Sequence, residues 1–139
     1  MNSANLFGIY NSTIRPSVEY ASIIYHPLIP EYLSNKLEQV QKQAVKIILG
    51  HNVDYAELVK NGELETLKDR RIEASLRFAT KAANSPRFGP IWFKEAQFND
   101  REVRSTTRLK YVEPFCRTER SRNNPLNYMT RLLNEHLGT

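Results

Sequence analysis

The side chains able to act as acids, bases or nucleophiles are few in this chain, and they are scattered. Its three aspartates, Asp54, Asp69 and Asp100, stand far apart. Metal-assisted phosphoryl transfer needs carboxylates that converge on a pair of ions. Each aspartate has a plainer reading: Asp54 as a helix cap, Asp69 beside Arg70 on a helix, Asp100 in a turn. The histidines, His26, His51 and His136, fall at a turn, after a helix stop and near the C-terminus, a spacing that suggests no shared metal site. Cys116 is the only cysteine, which leaves no internal disulfide and no cysteine-based zinc site. Arg117 and Arg120 could lower the pKa of its thiol, but no histidine is near it in sequence to make it a nucleophile. No Gly-rich phosphate loop, His-Glu-x-x-His, Gly-x-Ser-x-Gly or Cys-x-x-Cys occurs. The expectation is a protein without catalysis, cofactor, metal or small-molecule substrate.

The cations are better organised. Lys68, Arg70 and Arg71, with Arg77 and Lys81 on later turns, lie on a helix predicted over 66–83, where Arg70, Arg77 and Lys81 share one face. A positive face on a rigid helix can hold a phosphate backbone by releasing its counterions. It can equally be a solvated face partnered by Glu65, Asp69 and Glu73. Residues 100–123 carry seven cations (Arg101, Arg104, Arg108, Lys110, Arg117, Arg120, Arg122) against four acids, a local +3 within the chain's +5. Tyr111 and Phe115 are interleaved with them, a pattern able to follow a backbone and stack on bases. The competing reading is an ion-paired loop.

These residues must be positioned by helices. At 139 residues, with 40% apolar and 25% charged side chains, the chain has material for one ordinary domain with a packed core. Leu6, Ile9, Tyr10 and Ile14 give a first helical face, which Pro16 should interrupt at Arg15, and a second short helix should run from Pro16 to Tyr25. His26–Pro30 reads as a stiff turn. Ser34 is the expected N-cap of the clearest helix, whose inner face is Leu37, Val40, Ala44, Val45 and Ile48, with Gly50 as its stop. Asp54 caps a short helix, and Thr66 or Glu65 opens one that buries Leu67, Ile72 and Leu76. After Pro86 come the aromatics Phe88, Trp92, Phe93 and Phe98, then an extended stretch near Leu109–Val112. A last helix follows from Asn124-Pro125, with Leu126, Met129, Leu132 and Leu133 on one face. The fold class expected is mainly α, a helical bundle followed by an irregular basic segment and a C-terminal helix. Its domains are 1–85 and a 86–139 extension packed on it. No stretch approaches the roughly 20 apolar residues of a membrane span. The N-terminal residues carry no secretory pattern, so an intracellular place, nuclear or cytoplasmic, is expected.

Four segments carry a family likeness. The run Tyr10-Asn11-Ser12-Thr13-Ile14-Arg15-Pro16-Ser17-Val18-Glu19-Tyr20 resembles the Tyr-x-x-x-(Ile/Val/Leu)-Arg-Pro-x-x-(Glu/Asp)-Tyr segment of non-LTR, LINE-type (jockey-like) retrotransposon reverse transcriptases. Leu37-Glu38-Gln39-Val40-Gln41-Lys42-Gln43-Ala44 is similar to that family's Leu-Glu-x-x-Gln-x-x-Ala helix. Leu64-Glu65-Thr66-Leu67-Lys68-Asp69-Arg70-Arg71 is similar to its Leu-x-x-Leu-x-x-Arg-Arg element, and Arg117-Thr118 through Leu132-Leu133-Asn134 looks like a frequent ending. The likeness spans nearly the whole chain, in the family's order. It implies the thumb and the region after it, downstream of a palm whose paired aspartates this chain lacks. In such a thumb the matched Arg15, Lys42, Arg70 and Arg71 would grip RNA or an RNA–DNA duplex by its backbone. Arg104, Arg108, Lys110, Arg120 and Arg122 of the basic segment would add contacts. Arg15 could instead hold Glu19 or a helix end. The alternative is a small structural or adaptor subunit of a larger protein complex, favoured by the modest net charge and by the aromatic cluster.

Overall fold

A computed structural model of the chain describes residues 3–50, 52–96 and 110–138. The structure is mainly helical, with no strand among the described residues. It divides into two compact units, Met1–Glu73 and Ala74–Thr139, the division falling inside a helix.

The first unit opens with α1 (Ser3–Ile9), a π-helical turn (Tyr10–Ile14) and α2 (Arg15–Glu19). The break expected at Arg15 is absent. Pro16 has no N–H and its ring crowds the carbonyl four residues back. The wider π-turn absorbs that misfit: Arg15 N–H bonds the Tyr10 carbonyl five residues earlier, and Arg15 itself stays helical at φ −60°, ψ −47°. The real corner comes later. Tyr20 turns to ψ 128° and Ala21 takes the left-handed φ 54°, which for a residue with a Cβ costs on the order of 1 kcal/mol. The expected Pro16–Tyr25 helix is therefore split into α2 and α3 (Ser22–Tyr25). In the following turn Leu28 and Ile29 N–H both bond the Tyr25 carbonyl.

The long helix α4 (Glu31–Leu49) begins behind Pro30 rather than at Ser34 and ends at Gly50, whose φ of 95° suits glycine. Its buried face differs from the one its apolar spacing predicts. Gln41, Val45 and Ile48 are buried, while Val40 is 42% exposed and Leu37 and Ala44 are half-buried. The inner stripe runs Ser34, Glu38, Gln41, Val45, Ile48, so its first half is polar. Asp54 caps α5 (Tyr55–Lys60) as expected, accepting Ala56 N–H at 3.0 Å. α6 (Leu67–Ala83) opens at Thr66, whose hydroxyl accepts Asp69 N–H at 3.0 Å and donates to its carboxylate at 2.7 Å. Leu67 is buried, and Ile72 and Leu76 are half-buried.

The second unit takes up the later turns of α6, with Ala79 and Ala82 buried. Gly89 opens α7 (Gly89–Trp92) at a close approach: a Cβ there would lie 2.3 Å from the Ala83 carbonyl oxygen. Phe88 stacks on Trp92 at 4.9 Å. Phe93 is buried against Tyr111 at 5.8 Å, so it belongs to the core rather than to an exposed cluster. The extended stretch is one antiparallel bridge, Glu95 with Tyr111, framed by Ala96 N–H to Lys110 O and Val112 N–H to Lys94 O. Asn134 closes its outer edge. Its side-chain amide accepts Tyr111 N–H and donates to Tyr111 O, both at 3.0 Å, much as a neighbouring strand would. Thr118 caps α8 (Glu119–Arg122), and Asn124 with Pro125 starts α9 (Pro125–Leu137). α9 buries Met129, Thr130, Leu133 and Asn134, while Leu126 is exposed and Leu132 half-buried.

Candidate nucleic-acid interface

Within the first unit a polar network joins three of the four segments singled out above. Tyr10 Oη donates to Gln41 Oε1 at 2.7 Å, and Gln41 Nε2 donates to the Glu65 carbonyl at 2.8 Å and to Tyr55 Oη at 3.0 Å. Tyr55 Oη donates in turn to Glu38, whose carboxylate also accepts Leu67 N–H at 3.1 Å. Glu38 thus supplies a negative charge to the first turn of α6, where free N–H groups and the helix dipole favour one. Burial and the bonded Glu38 carboxylate push the Tyr55 hydroxyl pKa well up, and burial raises that of Tyr10.

A second knot is ionic. Arg70 Nε and Nη2 bond the two oxygens of Glu19, and Nη1 reaches Glu65 at 3.2 Å. Arg15 stands on the other side of Glu19, with Nε 3.6 Å away and Nη1 donating to Asn11 at 2.8 Å. Burial works to raise the Glu19 pKa, but the Arg70 hydrogen bond and charge, helped by Arg15, hold it below the usual carboxylate value. Hydrogen bonding to Glu19 raises that of Arg70. Two cations and two carboxylates leave this cluster neutral.

The expected phosphate-binding residues therefore separate. Arg71 is 1% exposed, and its guanidinium donates to Ser34 Oγ at 2.7 Å, so it is a strut of the core and not a contact for a ligand. Arg70 is committed to Glu19 and Glu65. Arg15 is half-buried beside Glu19. Lys42 is exposed on α4, with its ammonium 5.3 Å above the Tyr55 ring, and Lys46 follows one turn later. These two line a groove of about 420 Å³ with Asn52, Asp54 and Tyr55. Lys110 is exposed, 5.5 Å above the Tyr111 ring, and Arg120 and Arg122 are exposed on α8. Arg104 and Arg108 lie outside the described residues, as do Arg101, His51, Phe98 and Asp100.

In the second unit Arg122 of α8 borders a cleft of about 310 Å³. Phe115, Arg122, Asn127 and Arg131 line it, with Glu113 and Cys116. Phe115 is 92% exposed. Asn127 and Arg131 escaped the sequence reading, although a signal for them exists. Asn127, Arg131 and Asn134 recur at steps of four and three on α9, a polar stripe on an otherwise apolar helix. Among the described residues no group of His, Cys, Asp and Glu could hold a metal ion, and no helix is long and apolar enough to cross a membrane. Comparison with family models, with curated proteins and with solved structures gives no match at any of the three levels.

Proposed function

We propose that this chain is a non-catalytic module that binds nucleic-acid backbone, akin to the thumb and downstream region of a non-LTR retrotransposon reverse transcriptase, with RNA or an RNA–DNA duplex as its ligand. The observation that carries the reading is the condition of its outward cations. Lys42, Lys46, Arg117, Arg120 and Arg122 are all exposed, and none of them is ion-paired within the described residues. Cations held in this state are available to release counterions from a phosphate chain. The convergence of three of the four family-like segments on one network supports the likeness, as pieces of one fold would meet. Enzymatic polymerisation has no support in the side chains: the described aspartates, Asp54 and Asp69, serve as a helix cap and a first-turn partner of Thr66.

The test is a titration of the full chain against RNA–DNA duplex across a range of salt. About three phosphates neutralised together should give a log–log slope of about −3. Lys42→Ala with Lys46→Ala, or Arg120→Ala with Arg122→Ala, should each lower the slope by up to about 2 and weaken all sequences alike. The same preparation, given primer–template, Mg²⁺ and dNTPs, should add no nucleotide. Absence of binding at low salt refutes the proposal.

The adaptor reading is favoured by one observation. Leu33, Val40 and Ile47 recur at seven-residue steps along the outside of α4 and are exposed, Ile47 at 73%. If that reading holds, oligonucleotides leave the chain unbound and the Leu33–Ile47 stripe is the place to substitute.

A further inference from the structure

We infer that the α8–α9 cleft takes an unpaired base: Phe115 is a stacking platform, and Arg122 with Arg131 receives the adjoining phosphate, so the second unit holds single-stranded nucleic acid as well as duplex. This rests on the backbone-binding proposal and names the ligand class of one of its sites. Phe115 is 92% exposed, though hiding a phenylalanine ring is among the larger apolar gains open to a small fold. Its exposure is not that of a loose loop. On its N-terminal side, Asn134 Nδ2 bonds Tyr111 O and the Glu113 carboxylate, each at 3.0 Å. On its C-terminal side, Asn127 Nδ2 donates to Cys116 Sγ at 3.4 Å and to Ser121 O at 2.9 Å, while the thiol donates to Pro114 O at 3.3 Å.

The ring is thus held open between two pinned neighbours, so little ordering remains to be done on binding. The cationic wall is built as firmly. Arg131 Nη2 donates to the Arg122 carbonyl at 3.1 Å, tying the end of α8 to α9. Two guanidinium groups against the single Glu113 carboxylate leave the cleft positive. Its volume of about 310 Å³ sits at the small end of ligand clefts, roughly 300–1,000 Å³. Every base has a π-face, so stacking of this kind is sequence-tolerant, and the neighbouring phosphate supplies the charge. In a blunt duplex the bases are already stacked, and only the backbone arginines gain.

The experiment uses the full chain, fluorescein-labelled single-stranded RNA and a blunt RNA–DNA duplex of the same length, read by anisotropy at one low salt concentration. Phe115→Ala should weaken the single strand by about 5- to 150-fold, the worth of one stacked base, and change duplex affinity less than about twofold. Phe115→Trp should restore the single-strand affinity. Arg122→Ala should weaken both ligands and lower the salt slope by about 1. Single-strand and duplex affinities that fall together in Phe115→Ala, or do not fall at all, overturn the stacking site while leaving backbone binding intact. A wild type that binds neither ligand removes both. Sedimentation velocity covers the protein-partner outcome: a self-association that Phe115→Ala abolishes without touching RNA affinity also overturns the site.

Discussion

Gln41 should matter more to the fold than its apolar neighbour Val40, against what hydrophobicity alone would say. Gln41 is 1% exposed and its amide makes three hydrogen bonds, from Tyr10 Oη and to Tyr55 Oη and the Glu65 carbonyl. Gln41→Ala removes all three. Each bond is worth about 1 kcal/mol net, and each partner left dry costs about 1–3 kcal/mol more. Tyr10 is buried and has no other hydrogen bond in this network, whereas Tyr55 keeps its bond to Glu38. Water can reach part of the site, so the expected loss is about 3 kcal/mol, a large share of the 5–15 kcal/mol typical of a domain. Val40→Ala deletes two methyl groups from a side chain already 42% in water. No cavity forms, and the better helix propensity of alanine offsets part of the lost burial, so the net change should stay within about 0.5 kcal/mol. Urea unfolding followed by circular dichroism at 222 nm measures both. If Val40→Ala costs more than Gln41→Ala, α4 packs by its apolar stripe and the register described above is wrong.

Arg71→Ala should destabilise by about 3 kcal/mol or more, since it empties a buried site and strands Ser34, whereas Arg70→Ala should cost about 1 kcal/mol and leave duplex affinity unchanged; thermal melts and the same anisotropy titration read the pair. Stability should also fall on mild acidification. Burial first, then the charges of Arg71 and Lys68, lower the His26 pKa from 6.5 to about 4. Between those values the unfolded chain binds a proton that the folded one does not, so stability drops as pH falls through the window. Glu19, held below its usual 4.5, extends the loss to lower pH, because its paired form is present only above its folded value. His26→Gln should flatten the melting temperature between pH 6.5 and 5 and keep the steeper loss below; a wild-type profile level from pH 7 to 4.5 contradicts the assignment.

Much of the helical layout could be read from punctuation. Asp54, Thr66, Asn124 with Pro125, and Gly50 each sit at the boundary their chemistry dictates, because caps and stops act through neighbours in sequence. The misreadings differ in cause. Pro16 looked like a break because a proline disrupts an i→i−4 ladder, but a single i→i−5 turn preserves the helix at the cost of one wider loop. Val40 looked like core because periodicity sees only apolar side chains. It cannot see that Gln41 and Glu38 find two backbone groups and two tyrosine hydroxyls waiting, contributed by residues up to 31 positions away. Ala21 in the left-handed region gave no warning at all, since alanine has no preference for such a corner.

The same long-range pairing decides what the cations do. Arg70 and Arg71 are adjacent, alike in charge, and indistinguishable by any local rule, yet one faces Glu19 from 51 positions away and the other is sealed against Ser34. Charge on a helix face therefore cannot tell a paired or buried arginine from an outward one, because acids from other elements are absent from the helix's own sequence. Residues 113–122 behave in the opposite way. Their flanks are fixed by the side-chain amides of Asn127 and Asn134 rather than by salt bridges, and this leaves Phe115 and the arginines of α8 uncommitted. A fold that neutralises its cations at one place with carboxylates, and holds others in position with neutral amides, separates structural charge from charge available to a ligand. That division, rather than the +5 total, directs the search for a polyanion to α8 and the outer face of α4.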